Sequence, residues 1–320
     1  MGEIVLLILL TGLSFNKCLA QKVDNLASFR DIKSARYFRV YYDNDLFAGT
    51  DENYTQGYSF ELVAPSLGRN PFNHLFYQPR EAQTRFGLAV EHIAFTPAKY
   101  ELAELQFGDR PFASCLMLKS FMIATNTVKS SRFTSSFNIG IIGPAALGEE
   151  IQVGIHKAIG NKIPLGWQHQ IKNDLIINYQ IAYEKQLLRY SELFSLQAEV
   201  GARFGTLFTN GSIGLNGTFG IINSPFSSIQ KKNGFKLYIY AQPMLRLIGY
   251  DATLHGGVFN KESPYTIPID EVERLTGQFN FGIVCKTKNI YFEYSHSLLT
   301  REIETGSLAK WGGLKIGFTF

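Results

Sequence analysis

Charge is scarce in this chain. Asp, Glu, Lys and Arg make up 18% of its 320 residues, against roughly 25% in soluble globular domains. The net charge of +4 is too small to be the footprint of a nucleic-acid binder, although it can assist at anionic headgroups. Long interior apolar runs are also missing. Beyond residue 20 nothing approaches the roughly 20 consecutive apolar residues of a membrane helix, and a mean hydropathy of -0.03 excludes a helical membrane bundle. There is no Gly-x-Ser-x-Gly elbow, no helical histidine pair spaced for zinc, no internal repeat and no linker. Cysteine is limited to Cys18, Cys115 and Cys285. The last two could pair in an oxidising compartment, but two thiols in apolar surroundings is the simpler expectation.

What is abundant is glycine, at 29 residues, and aromatic side chains, at 14%. These suit tight walls and interface girdles of a membrane β-barrel. The one long apolar run, Ile4 to Leu10 and on to Ala20, reads as a secretory signal peptide cleaved after Cys18-Leu19-Ala20. Its n-region is unusual in carrying Glu3 and no Lys or Arg. Phe15, Asn16 and Lys17 before Cys18 lack the small apolar character of a lipidation site. The expected organisation is a leader over 1–20 and a single barrel domain over 21–320.

The chain ends in KWGGLKIGFTF, where Leu314, Ile316, Phe318 and Phe320 alternate with Lys315, Gly317 and Thr319. Chain ends of soluble proteins are usually mobile and polar. A strand closing a barrel in lipid needs an apolar outer face and paired backbone groups instead. The same period of two recurs throughout. Phe194, Leu196, Ala198, Val200, Ala202 and Phe204 alternate with a second row that includes Gln197, Glu199 and Arg203, as a polar lumen requires. About twelve strands are expected, near 37–45, 54–65, 84–96, 112–126, 131–143, 174–187, 192–208, 212–223, 234–255, 273–286, 289–299 and 311–320. Asn210-Gly211 reads as a tight turn. A soluble β-sandwich would alternate similarly, but the leader and the aromatic terminus favour an all-β transmembrane antiparallel barrel. Leu147 to Ile159 reads as a short helix in an extracellular loop, with Leu147, Ile151, Ile155 and Ile159 forming its apolar face and Gly160 its stop. With the N-terminus in the periplasm, the connections at 46–53, 97–111 and 144–173 all face outward.

Chemically suggestive residues fall in those three connections. The first holds Asp43, Asn44 and Asp45, then Asp51, Tyr54 and Thr55. Oxygen donors so placed suit Ca²⁺, or simply an Asx-rich turn. Strict alternation puts Asn44 and Asp45 on opposite walls, so one site needs a bend or bulge there. The second is Gly108-Asp109-Arg110-Pro111-Phe112, where Arg110 either grips a phosphate or carboxylate or pairs with Asp109. The third holds Gly143-Pro144, then Gln152 and His156 on one helix face, then Trp167-Gln168 and Gln170. His156 is either a base working at neutral pH or an exposed loop histidine.

The segments YDNDLFAGTDENYTQGY, GDRPFAS and GPAALGEEIQVGIHKAIGNKIPLGWQHQIKN together resemble the outer-membrane lipid A deacylases, the lipid A 3′-O-deacylase family. The resemblance implies a twelve-stranded barrel and a Ca²⁺-dependent esterase that releases an acyloxyacyl chain from the lipid A of lipopolysaccharide. On the matching positions it makes His156 the general base and Asn44 the oxyanion donor. Asp45 holds or orients the Ca²⁺, Thr55 is a hydroxyl in the site, and Gln152 and Arg110 are supporting groups. Lys157 and Lys162, with Arg110, could meet the sugar phosphates. An acidic residue that follows the histidine in a family member is Lys162 or Asn161 here, which leaves the cation's ligand set open. The competing readings are a Ca²⁺-dependent outer-membrane phospholipase and a non-catalytic porin or structural barrel. A monomer in the outer membrane, with its site towards the outer leaflet, is the expectation.

Overall fold

A strand in a bilayer has two kinds of surroundings, so its alternate residues must satisfy opposite demands. The apolar row meets lipid, and the other row fills the lumen. The computed structural model describes residues 25–49, 53–222, 224–228 and 234–320; the expected leader, with Cys18, and Asp51 lie outside them. Twelve antiparallel strands form a closed barrel: β1 Tyr37–Asn44, β2 Asn53–Val63, β3 Gln83–Thr96, β4 Ala113–Asn126, β5 Ser131–Ile142, β6 Asp174–Tyr190, β7 Phe194–Gly205, β8 Phe208–Ile221, β9 Lys236–Asp251, β10 Leu275–Lys286, β11 Ile290–Leu299 and β12 Ala309–Thr319. β1 closes the ring on β12, with Phe38 opposite Phe318 and Val40 opposite Ile316. Two helices lie outside the wall strands, α1 Gly148–Ile159 and α2 Ala252–His255.

The outward rows are the ones the alternation predicts. Phe38, Phe60, Val200, Ile239, Phe279, Phe281, Ile316 and Phe318 are all exposed apolar side chains. The inward rows are polar and buried. Segment 25–36 enters the lumen, where Arg30 donates to Glu293 at 2.8 Å and Lys315 reaches the same carboxylate at 3.1 Å. Tyr291 also donates to Glu293, at 2.6 Å. Asp31 accepts from both Arg85 and Arg132 at 2.6 Å. Glu199 accepts from Asn216 and Gln242, both at 2.9 Å. This half of the lumen is therefore filled with hydrogen-bonded charge, because a buried ion is tolerated only when paired.

Asn210-Gly211 is not the turn. β7 and β8 are joined at Thr206 and Leu207, and Asn210 pairs with Arg203 inside the ladder. The turn is held from a neighbouring strand. Asn178 of β6 accepts from the backbone N–H groups of Leu207 and Phe208 at 3.0 and 2.9 Å. A side chain thus supplies the contact that a turn dipeptide would otherwise provide. Cys115 and Cys285 are free thiols.

Replacing Glu293 by alanine strands two buried cations against each other, and loss of one partner of a buried ion pair typically costs about 3–5 kcal/mol. The Glu293→Ala barrel is expected to lose its compact, heat-resistant gel migration at a clearly lower temperature. Lys129→Ala, which removes an exposed pair with Glu81, should leave that temperature unchanged.

Candidate active site

The connections β1–β2, β3–β4 and β5–β6 emerge at the rim opposite the chain ends. Two interruptions of the ladder shape the wall beneath them. β1 stops at Asn44, and Asp45–Ala48 turns as a 3-10 helix. β2 shifts register between Tyr54 and Gln56, making Thr55 a bulge residue. The Asn44 amide donates to the Thr55 carbonyl and hydrogen-bonds the Tyr42 hydroxyl, and Asp45 acts electrostatically on the same Tyr42. The break in β1 brings Asn44 and Asp45, neighbours of opposite strand parity, both within reach of Tyr42. Thr55 Oγ1 lies 2.8 Å from Thr96 Oγ1, at the end of β3.

The wall's outer face continues from there. Gln56 pairs with Ala94 and Tyr58 with His92, and facing partners share a side. Ala94 is buried in a cluster with Tyr100, Phe112 and Trp167, so the second and third connections fold over the outside of β2–β4. The Tyr100 ring meets the His156 ring edge-on, with centroids 5.4 Å apart. Trp167 Nε1 donates to Gln152 Oε1 at 2.7 Å. His92 Nε2 lies 3.0 Å from the carbonyl of Ala146. Two groups of contacts thus share the outer face of β2 and β3: Asn44, Thr55 and Thr96 at its end, and Tyr100, His156, Trp167 and Gln152 over Ala94.

α1 begins where the sequence predicts and stops at Gly160, whose φ of 72° is the left-handed region glycine favours. Its polar pair faces the wall. Leu147 is 49% exposed and Ile159 59%, while Gly148, Gln152 and His156 are buried. The helix lies against the outside of the barrel, with its apolar row half-buried at Ile151 and Ile155 and exposed at Leu147 and Ile159. Gly148 permits the close approach, since a Cβ there would come within 2.5 Å of Ser114 Cβ.

His156 is 6% exposed, and its Nδ1 lies 2.5 Å from the carbonyl oxygen of Lys162. A carbonyl only accepts, so Nδ1 carries a proton and Nε2 holds the lone pair of the neutral ring. Gln152 and Gln56 each bury an amide nitrogen with no hydrogen-bond partner. Gln56 and Thr96 join the cluster without having been singled out in the sequence. Gln56 reads as an ordinary lipid-row residue until the overlying loops bury it.

Arg110 goes elsewhere. It lies 4.1 Å over the ring of Phe95, whose strand parity is opposite to that of Ala94 and Thr96. Its nitrogens donate to Glu302 and Thr253, both at 2.8 Å. Burial lifts the Glu302 carboxyl to about 8 despite the neighbouring guanidinium. Arg110 thus braces three rim loops on the lumen side and does not pair with Asp109 through its guanidinium. Lys157 is exposed. Lys162 reaches Glu101 at 2.6 Å, and that hydrogen bond holds the Glu101 carboxyl below its usual value. Asp45, Asn44 and Thr55 offer oxygen donors suited to a hard cation, but among the described residues no three His, Cys, Asp or Glu side chains gather.

Comparison with known proteins agrees with this architecture. The family model described as outer membrane protein LpxR matches residues 5–320. LpxR from Salmonella typhimurium shares the fold, with a TM-score of 0.72 at 19% identity over 89% of this chain and 100% of that one. The β domain of the Bordetella autotransporter Brka matches at a TM-score of 0.47 and 9% identity, over 89% of this chain and 99% of that one. The translocator domain of the autotransporter NalP from Neisseria meningitidis matches at 0.45 and 10%, over 91% and 90%. No curated protein sequence matches.

Trp167→Phe keeps an aromatic, though smaller, ring and deletes the donor to Gln152, leaving a buried acceptor unmet at about 1–3 kcal/mol. Segment 144–170 is then expected to be cut faster in limited proteolysis while the barrel core stays resistant. Unchanged cleavage would show that this hydrogen bond does not hold the helix on the wall.

Proposed function

Since this chain belongs to the LpxR family of outer-membrane proteins, the lipid A deacylases its motifs resemble, we propose that it is a carboxylic ester hydrolase that releases the 3′-acyloxyacyl chain from lipid A. The observation that carries this reading is the buried His156, with Nδ1 fixed on the Lys162 carbonyl, beside a wall that presents Asn44 and Thr55. A base must have its lone pair aimed into the site and its tautomer set by a second contact. Nε2 takes a proton from water as the water oxygen attacks the ester carbonyl. The same nitrogen then returns the proton to the departing sugar oxygen as the C–O bond breaks.

Charge develops on the carbonyl oxygen during attack, and preorganised donors are most effective there. Asn44 is the first such donor. The unpartnered amide nitrogens of Gln152 and Gln56 supply further N–H groups in the same buried neighbourhood. Thr55 and Thr96 fix each other's hydroxyls and so hold the bulge that presents Asn44. Lys157 and Lys162, on the exposed side of α1 and the turn after it, suit the phosphates of the lipid A sugars. The exposed ends of the apolar row of α1, Leu147 and Ile159, suit the acyl chains beside them. The site would face the leaflet that carries lipopolysaccharide.

The donor chemistry fits Ca²⁺, with Asp45 as the charged ligand and the oxygens of Asn44 and Thr55 as neutral ones. A single carboxylate implies weak binding completed by water or substrate oxygens. When bound, the ion would polarise the ester carbonyl as a Lewis acid.

His156→Ala is expected to lower fatty-acid release from purified lipid A by roughly 10²–10⁴-fold, the usual size of a general-base contribution, with heat-resistant migration retained. Full activity in that variant would remove the histidine from the mechanism. Chelation should suppress release, added Ca²⁺ should restore it, and Asp45→Asn should raise the Ca²⁺ concentration needed. Release that is indifferent to chelator would exclude the cation.

A further inference from the structure

The connection between β2 and β3, at the rim that carries both chain ends, does not project away from the barrel. Its two 3-10 turns, Pro65–Arg69 and Pro71–Leu75, fold back along the outer wall. Phe72 packs on Phe137 with centroids 5.4 Å apart, and Tyr77 meets Phe133 edge-on at 5.9 Å. Tyr179 donates to the carbonyl of Leu75 at 2.9 Å, and Asn70 donates to Ser120 Oγ at 3.2 Å. Ser120 is six positions before the end of β4 at Asn126, so the turn climbs on the order of 15 Å up the tilted wall. Above it lies a cavity of about 420 Å³, within the size range of small-ligand sites. Its floor is the lipid-facing row Leu88, Leu118, Phe137 and Ile139, and its polar edge is Ser66, Arg69 and Asn70.

Arg69 is the one charged residue lining this cavity. It is exposed, and among the described residues it has neither an ion-pair nor a hydrogen-bond partner. A guanidinium on the lipid side of a barrel is costly unless an anion meets it. We propose that this groove binds one glycerophospholipid of the leaflet at the chain-end rim, with its phosphodiester on Arg69 and an acyl chain along Leu118 and Ile139. Arginine engages such an anion through two parallel N–H···O contacts, and Asn70 and Ser66 stand beside it. The apolar floor is continuous with the lipid-facing wall, so a chain enters from the bilayer without crossing water. This site is independent of the ester chemistry at the opposite rim and rests only on the barrel's place in a bilayer.

Native mass spectrometry of the mature protein in non-ionic detergent, with equimolar palmitoyl-oleoyl phosphatidylglycerol, tests the assignment. One retained lipid per barrel is expected. Arg69→Gln should weaken retention about tenfold, as loss of one charge-assisted contact does. Leu118→Trp, which fills the groove, should weaken it similarly, and Ile139→Trp serves if that variant fails to give a heat-resistant barrel. Equal retention by the wild type and the variants would show ordinary annular lipid and overturn the site. Equal retention of palmitoyl-oleoyl glycerol, which lacks the phosphate, would overturn the role of Arg69. Preferential retention of purified lipid A would overturn the choice of occupant.

Discussion

Backbone N–H and C=O groups cannot be left unpaired in hydrocarbon, and a sheet satisfies all of them only by closing on itself. The pairing of β1 with β12 is therefore the contact on which the rest depends. Closure gives every strand the same two surroundings, lipid outside and a lumen inside. It also brings the first strand beside the last, and segment 25–36 lies in the lumen, where its Arg30 and Asp31 meet partners from β3, β5 and β11. A lumen filled by such pairs is a prop for the wall.

Closure also defines where chemistry can sit. With the lumen occupied, the polar residues of the first and third connections gather on the outside of the wall. The break after Asn44 and the bulge at Thr55 turn polar groups towards a face that elsewhere meets lipid. Loops carrying Tyr100, Trp167 and His156 lie over the neighbouring part of that face, on Ala94. Arg110, on the other side of Phe95, keeps those loops in place from within.

Much of the barrel was legible because alternation is a local property. The rows ending in Phe204, Cys285 and Phe320 each present one lipid face, and the turns between them follow from length alone. The exceptions are instructive. Asn210-Gly211 looks like a turn, yet Asn178 from another strand fixes the reversal four residues earlier. The apolar row of α1 is half-buried at Ile151 and Ile155 and exposed at its ends, because the face carrying Gln152 and His156 is the one that meets the wall. Arg110 looks like an anion grip, and its partners Glu302 and Thr253 lie more than a hundred residues away. Gln56 sits inside the first of the three quoted segments with no role of its own there, and becomes conspicuous only when buried.

The sequence by itself determined the period of two, the number of strands, the helix with its glycine stop, and the order of three polar segments. These are set by each residue's neighbours in the chain and by the solvent each face requires. Tertiary structure alone decided which face of α1 is buried, which side of the wall receives Arg110, and that the loops carrying Tyr100, Trp167 and His156 fold over the outside of the wall. Those outcomes depend on where the ring closes and how loops of unequal length fold over its rim, and nothing within a few residues of any of these side chains encodes that.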